Sequence, residues 1–458
     1  MTSCQSVVVA DEPDLRPAIV GLAVTHVGRT GNQGSLKSLR STKVTTRARS
    51  HTQVSRRTLL KSAALSLSTI APVKSFETTH AFSDPAPRVK GFIDQRENET
   101  IRGLIQKFAE QYSLPGFSLA MTYQGELKLV ACHGFAHQEK KVPVTPRHRF
   151  RLASVSKPIT GATLIRLVEQ KQIRLDDRIF GSTGWLKEFY NTSNHADRAN
   201  RERLAALTLE HLLEHTGGGW GNRRRDPMFA HEALGLDHAK LIPWTIDAIP
   251  LERDPGESYD YSNFGYCLLG RVIEVVTGKP YQDAVQDTLF TPARVSGVKI
   301  ARPNPRDRWE HEVHYYQKSS DPYGKSMNVH RMDAHGGWVA SPTELMRWMR
   351  RIDGFKPPTD ILTDESIRRM TTPSSTTLSY AKGWRVNAAK NWWHQGSFPG
   401  GSSFLARIAD GTCWAIAVNT RSKDAGYTRA LDQLPWKIKR AVTTWGEGDL
   451  FSQDGQNS

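Results

Sequence analysis

The sequence predicts an α+β fold, in which an antiparallel sheet is assembled from both ends of the folded chain and a helical region is inserted between them. Three observations predict it. Strand-like apolar runs at 117–122 and 127–132 lie near one end, and three more at 391–398, 403–408 and 412–418 lie near the other. Gln124-Gly125 and Asp410-Gly411 supply hairpin turns between neighbouring runs. Helical periodicity fills the interval, most strongly at 150–170 and 264–276.

In chain order, residues 1–54 are rich in Ser, Thr, Arg and Gly and read as a disordered N-terminal extension. In the stretch 55–81, Arg56-Arg57 precedes an apolar run, Leu59 to Ile70, too short to span a bilayer. Its Ser-Arg-Arg-x-Leu-Leu-Lys resembles the twin-arginine export motif, and Thr79-His80-Ala81 offers a small-x-small cleavage site. Translation starting near Val54 would leave this signal a conventional n-region. The expected location is therefore periplasmic or extracellular. The folded domain is expected over 89–445, opening with a helix whose apolar positions are Ile101, Leu104, Ile105 and Phe108 and which stops before Leu114-Pro115-Gly116. Residues 181–206 are polar and read as a loop insertion. A short helix at 209–213 ends at Thr216 and Gly217-Gly218-Gly219, and Asp254-Pro255-Gly256 makes a turn. Gly278 closes the helix at 264–276, Ser341-Pro342 opens another, and 431–443 is the last. Residues 446–458 read as a disordered tail.

Of the 458 residues, 38% are hydrophobic and 24% charged, which suits a globular protein with a sizeable core. The formal net charge is +16, of which residues 1–81 hold +7. A basic surface fits an anionic partner such as an acidic envelope polymer. With no zinc finger, RNP-like segment or sustained basic helix, the sequence argues against nucleic acid. Cys4, Cys132, Cys267 and Cys413 are widely spaced, which argues against a disulfide framework and for buried thiols.

The chemistry centres on Ser154 and Lys157, at the start of the helix within 150–170. One helical turn puts hydroxyl and amine on one face. The helix end adds positive potential and free N–H groups, and with desolvation it favours a neutral, proton-accepting lysine. Ser-x-x-Lys also occurs at Ser296/Lys299 and Ser379/Lys382, but neither opens a long amphipathic helix. Read alone, Ser154 is better explained as an N-cap beside an exposed lysine. Two further elements bear on the choice. Tyr261-Ser262-Asn263 follows the Asp-Pro-Gly turn and can point a phenol and an amide into a cleft. His394-Gln395-Gly396 lies on a C-terminal strand, where Gly396 would allow close approach of a ligand backbone and the Ser397 N–H could point at it.

These three elements, in this order, resemble the serine β-lactamase and penicillin-binding protein superfamily, in its class C-type branch. The resemblance spans about Phe92 to Trp445 and is supported by Gly134-Phe135-Ala136, Leu212 to Gly217, Pro255-Gly256-Glu257, Gly383-Trp384 and Phe398-Pro399-Gly400. It implies a β-lactamase/transpeptidase-like fold: an antiparallel sheet flanked by helices, a mostly helical subdomain, and the active site in the cleft between them. It also implies roles. Ser154 would attack an acyl carbon, with Lys157 and Tyr261 sharing the proton and either one as the base. Asn263 would hold Lys157 or a substrate amide, and His394, Gln395 and Gly396 would orient substrate. The N–H groups of Ser154 and Ser397 would form the oxyanion hole. No metal or cofactor is implied. The branch's β-lactamases carry Lys-Thr-Gly where this chain has His394-Gln395-Gly396. A largely neutral histidine in place of a fixed cation turns the expectation from a dedicated β-lactamase toward a D-Ala-D-Ala carboxypeptidase-like, esterase-like or amidase-like hydrolase.

Two other readings stand beside this one. His211-Leu212-Leu213-Glu214-His215 matches a zinc-peptidase pattern, with its two histidines at i, i+4. A non-catalytic, penicillin-binding-like envelope scaffold would keep the fold without the chemistry. The loop at 217–240, with Trp220 and Arg223 to Arg225, is expected to shape the pocket and could meet an aromatic or anionic substrate.

Overall fold

The computed structural model describes residues 86–192, 198–223, 226–317, 321–324 and 327–454 of the chain. The expectations for residues 1–81 lie outside the described residues. The strands in chain order are β1 (Arg88–Gly91), β2 (Gly116–Tyr123), β3 (Glu126–His137), β4 (Val142–Pro143), β5 (Phe150–Arg151), β6 (Lys299–Ile300), β7 (Trp338–Ala340), β8 (Arg385–Val386), β9 (Trp392–Phe398), β10 (Gly401–Arg407) and β11 (Thr412–Val418). The main sheet runs β1-β3-β2-β11-β10-β9-β8, with β4 appended to β3. It is antiparallel throughout. The two ends of the chain meet at β2 and β11, where Phe117 to Tyr123 pair with Val418 to Thr412.

Side chains alternate across these strands and divide the interior into two cores. Leu119, Met121, Phe404, Trp414 and Ile416 face α1 (Gln95–Gln111) and the helix Tyr427–Ala441. Ala120, Leu405, Cys413 and Ala415, one residue out of step, face the helical region. Because both faces are covered, β2 and β11 read as continuous apolar runs. Asp94 starts α1 with a capping box: its Oδ1 accepts from the Glu97 N–H at 2.7 Å, and its own N–H donates to Glu97 Oε2 at 3.2 Å. A small sheet, β5-β7-β6, sits where the helical region joins and carries the approach to Ser154. No described helix is long and apolar enough to cross a membrane.

Two stretches differ from expectation. The insertion at 181–206 contains helices Lys187–Thr192 and Arg198–Ala206. The first buries none of its residues and the second only Asn200 and Leu204, so neither shows an apolar face in the sequence. The expected disordered tail packs back onto the sheet at residues 449–451. Asp449 accepts from the Leu127 N–H at 2.9 Å and pairs with Arg350 at 3.2 Å, while Leu450 and Phe451 are buried. Two apolar residues and one carboxylate with partners elsewhere anchor a segment too short to show periodicity.

One buried carboxyl pair gives the fold a testable pH dependence. Burial and the nearby Asp353 push the Asp360 carboxyl up to about 7. Folding thus raises it above its unfolded value of about 3.9. Its contribution to stability is complete below that value and is lost as pH rises through about 7. Asp360→Asn is expected to melt above wild type at about pH 8 and to converge with it near about pH 4. Thermal melts across that range check this, and an offset constant with pH would refute it.

Candidate active site

From Phe150 to Ile165 every residue is buried except Ser154, which is partly exposed. Arg151 fixes the approach: its guanidinium donates to the carbonyls of Pro322 and Arg302, at 2.9 Å each, and faces Glu312 at 3.7 Å. Ala153 then adopts φ 46°, in the left-handed region unfavourable for a residue with a Cβ. The chain passes through a 3₁₀ turn, Ala153–Val155, into α2, Ser156–Glu169. Ser154 therefore stands on the tight turn that opens the helix, displayed by a strained neighbour.

Lys157 is fully buried one turn on. Its Nζ lies 3.2 Å from Ser154 Oγ, 2.7 Å from Asn263 Oδ1 and 3.1 Å from the His335 carbonyl oxygen. The amide oxygen and the carbonyl can only accept. A neutral amine has two N–H groups for those two oxygens and turns its lone pair to the Ser154 hydroxyl. A protonated one donates to all three. The same geometry serves both states, so a proton can pass between Ser154 and Lys157 without rearrangement.

Tyr261 and Asn263 come from the opening of the helix Asn263–Thr277. Ser262 caps that helix, its Oγ accepting from the Gly265 N–H at 3.0 Å, which leaves the Asn263 side chain free to reach Lys157. The Tyr261 ring centre lies 4.6 Å from Lys157 Nζ, and the ring is partly exposed. The structure thus brings Ser154, Lys157, Tyr261 and Asn263 together. Burial pushes the carboxyl of Asp226, which accepts from Asn263 Nδ2 at 2.8 Å, up to about 6.

His394 lies beneath Tyr261 and is fully buried, so its ring does not form the cleft wall expected of a substrate-orienting group. Its partners fix a directional chain. The Ser262 N–H donates to His215 Nδ1 at 3.1 Å, so the neutral ring carries its hydrogen on Nε2 and donates to the Tyr380 oxygen at 3.1 Å. Tyr380 O–H then donates to His394 Nε2 at 3.2 Å, and His394 Nδ1–H donates to the Gln395 carbonyl at 2.7 Å. Burial holds both imidazoles well below their usual range, and Lys157 pushes the same way. The half-buried Arg385, on β8, is a further cation acting on both rings.

Gly396 serves a different approach from the one expected. A Cβ there would stand 2.0 Å from the Leu152 carbonyl oxygen and 2.4 Å from Ser403 Oγ. The chain's own backbone, not a ligand, occupies that space and locks β9 against the turn carrying Ser154. Gln395 is partly exposed and Ser397 exposed. Phe398 and Gly401 close a two-residue hairpin, so the Ser397–Ser402 pair next to them is not hydrogen-bonded, and the Ser397 N–H points to the outer edge of β9. β8 pairs only with Trp392 and Trp393, so it leaves that edge open at Ser397.

Other expected site residues are committed elsewhere. Trp220 is buried against Phe264 and donates to the Ile249 carbonyl at 2.7 Å, so it does not meet substrate. Arg223 is exposed, and residues 224–225 lie outside the described residues. In the zinc-like pattern, His211 Nδ1 accepts from the Thr208 N–H at 3.2 Å, His215 belongs to the chain under Tyr261, and Glu214 pairs with Lys382 at 2.6 Å. Tyr380, Asp226, Asn222 and Arg385 join the site without a motif in the sequence to mark them. The Gly-Trp before Arg385 was the only nearby signal, and nothing local marked the others.

A family model described as Beta-lactamase matches residues 101–434. "Protein flp" of Staphylococcus aureus (strain N315) is 23% identical over 313 residues, 67% of this chain and 60% of the relative, so the chain spans less than two thirds of that protein's length. "Penicillin-binding protein 4*" of Bacillus subtilis (strain 168) is 24% identical over 374 residues, covering 74% of this chain and 75% of that one. Among solved structures, D-amino acid amidase from Ochrobactrum anthropi SV3, complexed with L-phenylalanine amide, superposes with a TM-score of 0.59 at 22% identity, covering 75% of this chain and 98% of the amidase. At that identity the likeness shows the fold.

Proposed function

Because the chain belongs to the beta-lactamase family, we propose that it is a serine hydrolase working through an acyl-enzyme at Ser154, of carboxypeptidase, amidase or esterase type. The observation that carries this is the contact of the buried Lys157 Nζ with Ser154 Oγ at 3.2 Å, its other hydrogens held by Asn263 and His335. Ser154 Oγ bonds to the acyl carbon as its proton passes to Lys157 or Tyr261. The N–H groups of Ser154 and Ser397 receive the oxyanion. The C–N or C–O bond breaks as the proton reaches the leaving amine or alcohol. Water then bonds to the acyl carbon, its proton passing through the same groups to Ser154 Oγ as the Oγ–acyl bond breaks, which releases the acid and restores the serine.

The neutral, buried His394 supports a site unlike that of a dedicated β-lactamase. The cation of Arg385 acts on the same ring and adds positive potential there, which supports a substrate that carries a carboxylate. The name of the penicillin-binding relative is consistent with reaction at a β-lactam carbonyl, and that of the D-amino acid amidase with a D-amino acid amide substrate. The twin-arginine-like segment supports a place of action outside the cytoplasm, where envelope peptides would be met. N-terminal sequencing of the native protein tests this, since a mature chain retaining residues 1–50 would refute it.

The test of the activity has two parts. Fluorophosphonate or fluorescent penicillin is expected to label wild type and not Ser154→Ala. A panel of D-Ala-D-Ala peptides, D-amino acid amides, short esters and β-lactams is expected to favour the first two. Absence of Ser154-dependent labelling by either probe would leave the scaffold reading in its place. A rate on β-lactams above that on peptides, amides and esters would favour a true β-lactamase.

A further inference from the structure

We infer that Asp226 is a positioning residue: it holds the Asn263 amide with its oxygen toward Lys157, which leaves the lysine lone pair directed at Ser154. This rests on the acyl-enzyme reading above. An asparagine amide is nearly symmetric in shape, so its neighbours decide which end faces where. Were the Asn263 amide reversed, its NH₂ would face Lys157 Nζ at 2.7 Å, and the amine would turn its lone pair there instead of to Ser154. Asp226 prevents this. Its Oδ2 lies 2.8 Å from Asn263 Nδ2 and, in the ionised form that prevails above about pH 6, can only accept. Asn222 reinforces the choice: with its nitrogen toward Asp226 Oδ2 and its oxygen toward Asn263 Nδ2, each at 2.9 Å, all three groups are satisfied.

Asp226 is itself well held. Its Oδ1 accepts from the Met228 N–H at 3.0 Å, capping the turn Pro227–Phe229. Beyond that turn, the Arg331 guanidinium donates to the carbonyls of Met228, Ala233 and Leu236. Arg331 lies four residues before His335, whose carbonyl is the other fixed acceptor for Lys157. Arg331 thus ties the turn behind Asp226 to the segment that carries the second acceptor, and Asp226 reaches Lys157 by way of Asn263.

The experiment is a double-mutant cycle on the full chain with a p-nitrophenyl ester, using Asp226→Ala, Asn263→Ala and both together. Asp226→Ser serves as a second variant, since its hydroxyl can still cap Met228 but cannot span to Asn263. Asp226→Ala and Asp226→Ser are expected to lower kcat about tenfold to a hundredfold with KM within about twofold, the range for coupled residues of one network. In the Asn263→Ala background, Asp226→Ala is expected to change kcat by less than about twofold. Wild-type kcat in both Asp226 variants, or independent losses that multiply, would overturn the inference. If wild type itself shows no Ser154-dependent turnover, the proposed function falls. The positioning role is then judged from a crystal structure of Asp226→Ala. Lys157 Nζ displaced from the 2.7 Å contact with Asn263 would support it, and an unmoved contact would not.

Discussion

Lys157→Met is expected to lower kcat/KM by about 10³-fold while leaving a folded protein, the upper-middle range for loss of a general base. Methionine fills the buried lysine stem without its amine. Asn263 Oδ1 and the His335 carbonyl would lose their donor, at about 1–3 kcal/mol for each buried group left unsatisfied. Removing a buried polar amine offsets part of that, since its desolvation is itself costly. The melting temperature should therefore move much less than the rate. The measurement is steady-state turnover beside thermal melts, with Tyr261→Phe in parallel. A Lys157→Met enzyme within about tenfold of wild type, with Tyr261→Phe nearly dead, would move the base from lysine to tyrosine.

The contrast among the three Ser-x-x-Lys tetrads shows what sequence could and could not reveal. Ser296 and Ser379 are both exposed, and Lys382 is buried in ion pairs with Glu214 at 2.6 Å and Glu210 at 3.0 Å. Only Ser154 opens a long buried helix, a difference that apolar periodicity made visible in advance. The sheet was equally legible, because strands β2, β3, β9, β10 and β11 are apolar runs bounded by strong turn residues. What lay hidden was whatever depends on partners distant in sequence. His394 could be named from its strand, but its burial depends on Tyr380 and His215, which come from different loops. Asp226 acquires its role only when the loop after 217 folds over Asn263. The helices at 187–192 and 198–206 have too little apolar face to show a period, and the packed residues 449–451 are too few.

Gly396→Ala is expected to cost about 10²- to 10³-fold in kcat/KM, although alanine adds a single methyl group and removes no polar atom. Two of the three nearest atoms to that methyl are backbone: the Leu152 oxygen at 2.0 Å and the Leu152 carbonyl carbon at 3.1 Å. The Leu152 oxygen cannot easily turn aside, because it also accepts from Ser403 Oγ at 2.6 Å and from the Val155 N–H at 3.2 Å. Either β9 moves out or the turn bearing Ser154 moves back. Ser397 adjoins the glycine, and Ser154 follows Leu152 by two residues, so either motion separates the two N–H groups assigned to the oxyanion. A displacement of about 1 Å is enough for a loss of about 10²-fold. Overpacking should also cost about 1–3 kcal/mol of stability. Gly103→Ala is the control, since a Cβ there meets nothing within 4 Å on α1. It should leave the rate unchanged and raise stability by up to about 1 kcal/mol. Turnover and melts of the two variants side by side decide the matter: a Gly396→Ala enzyme as fast as Gly103→Ala would mean that the contact between β9 and Leu152 does not set the geometry of acylation.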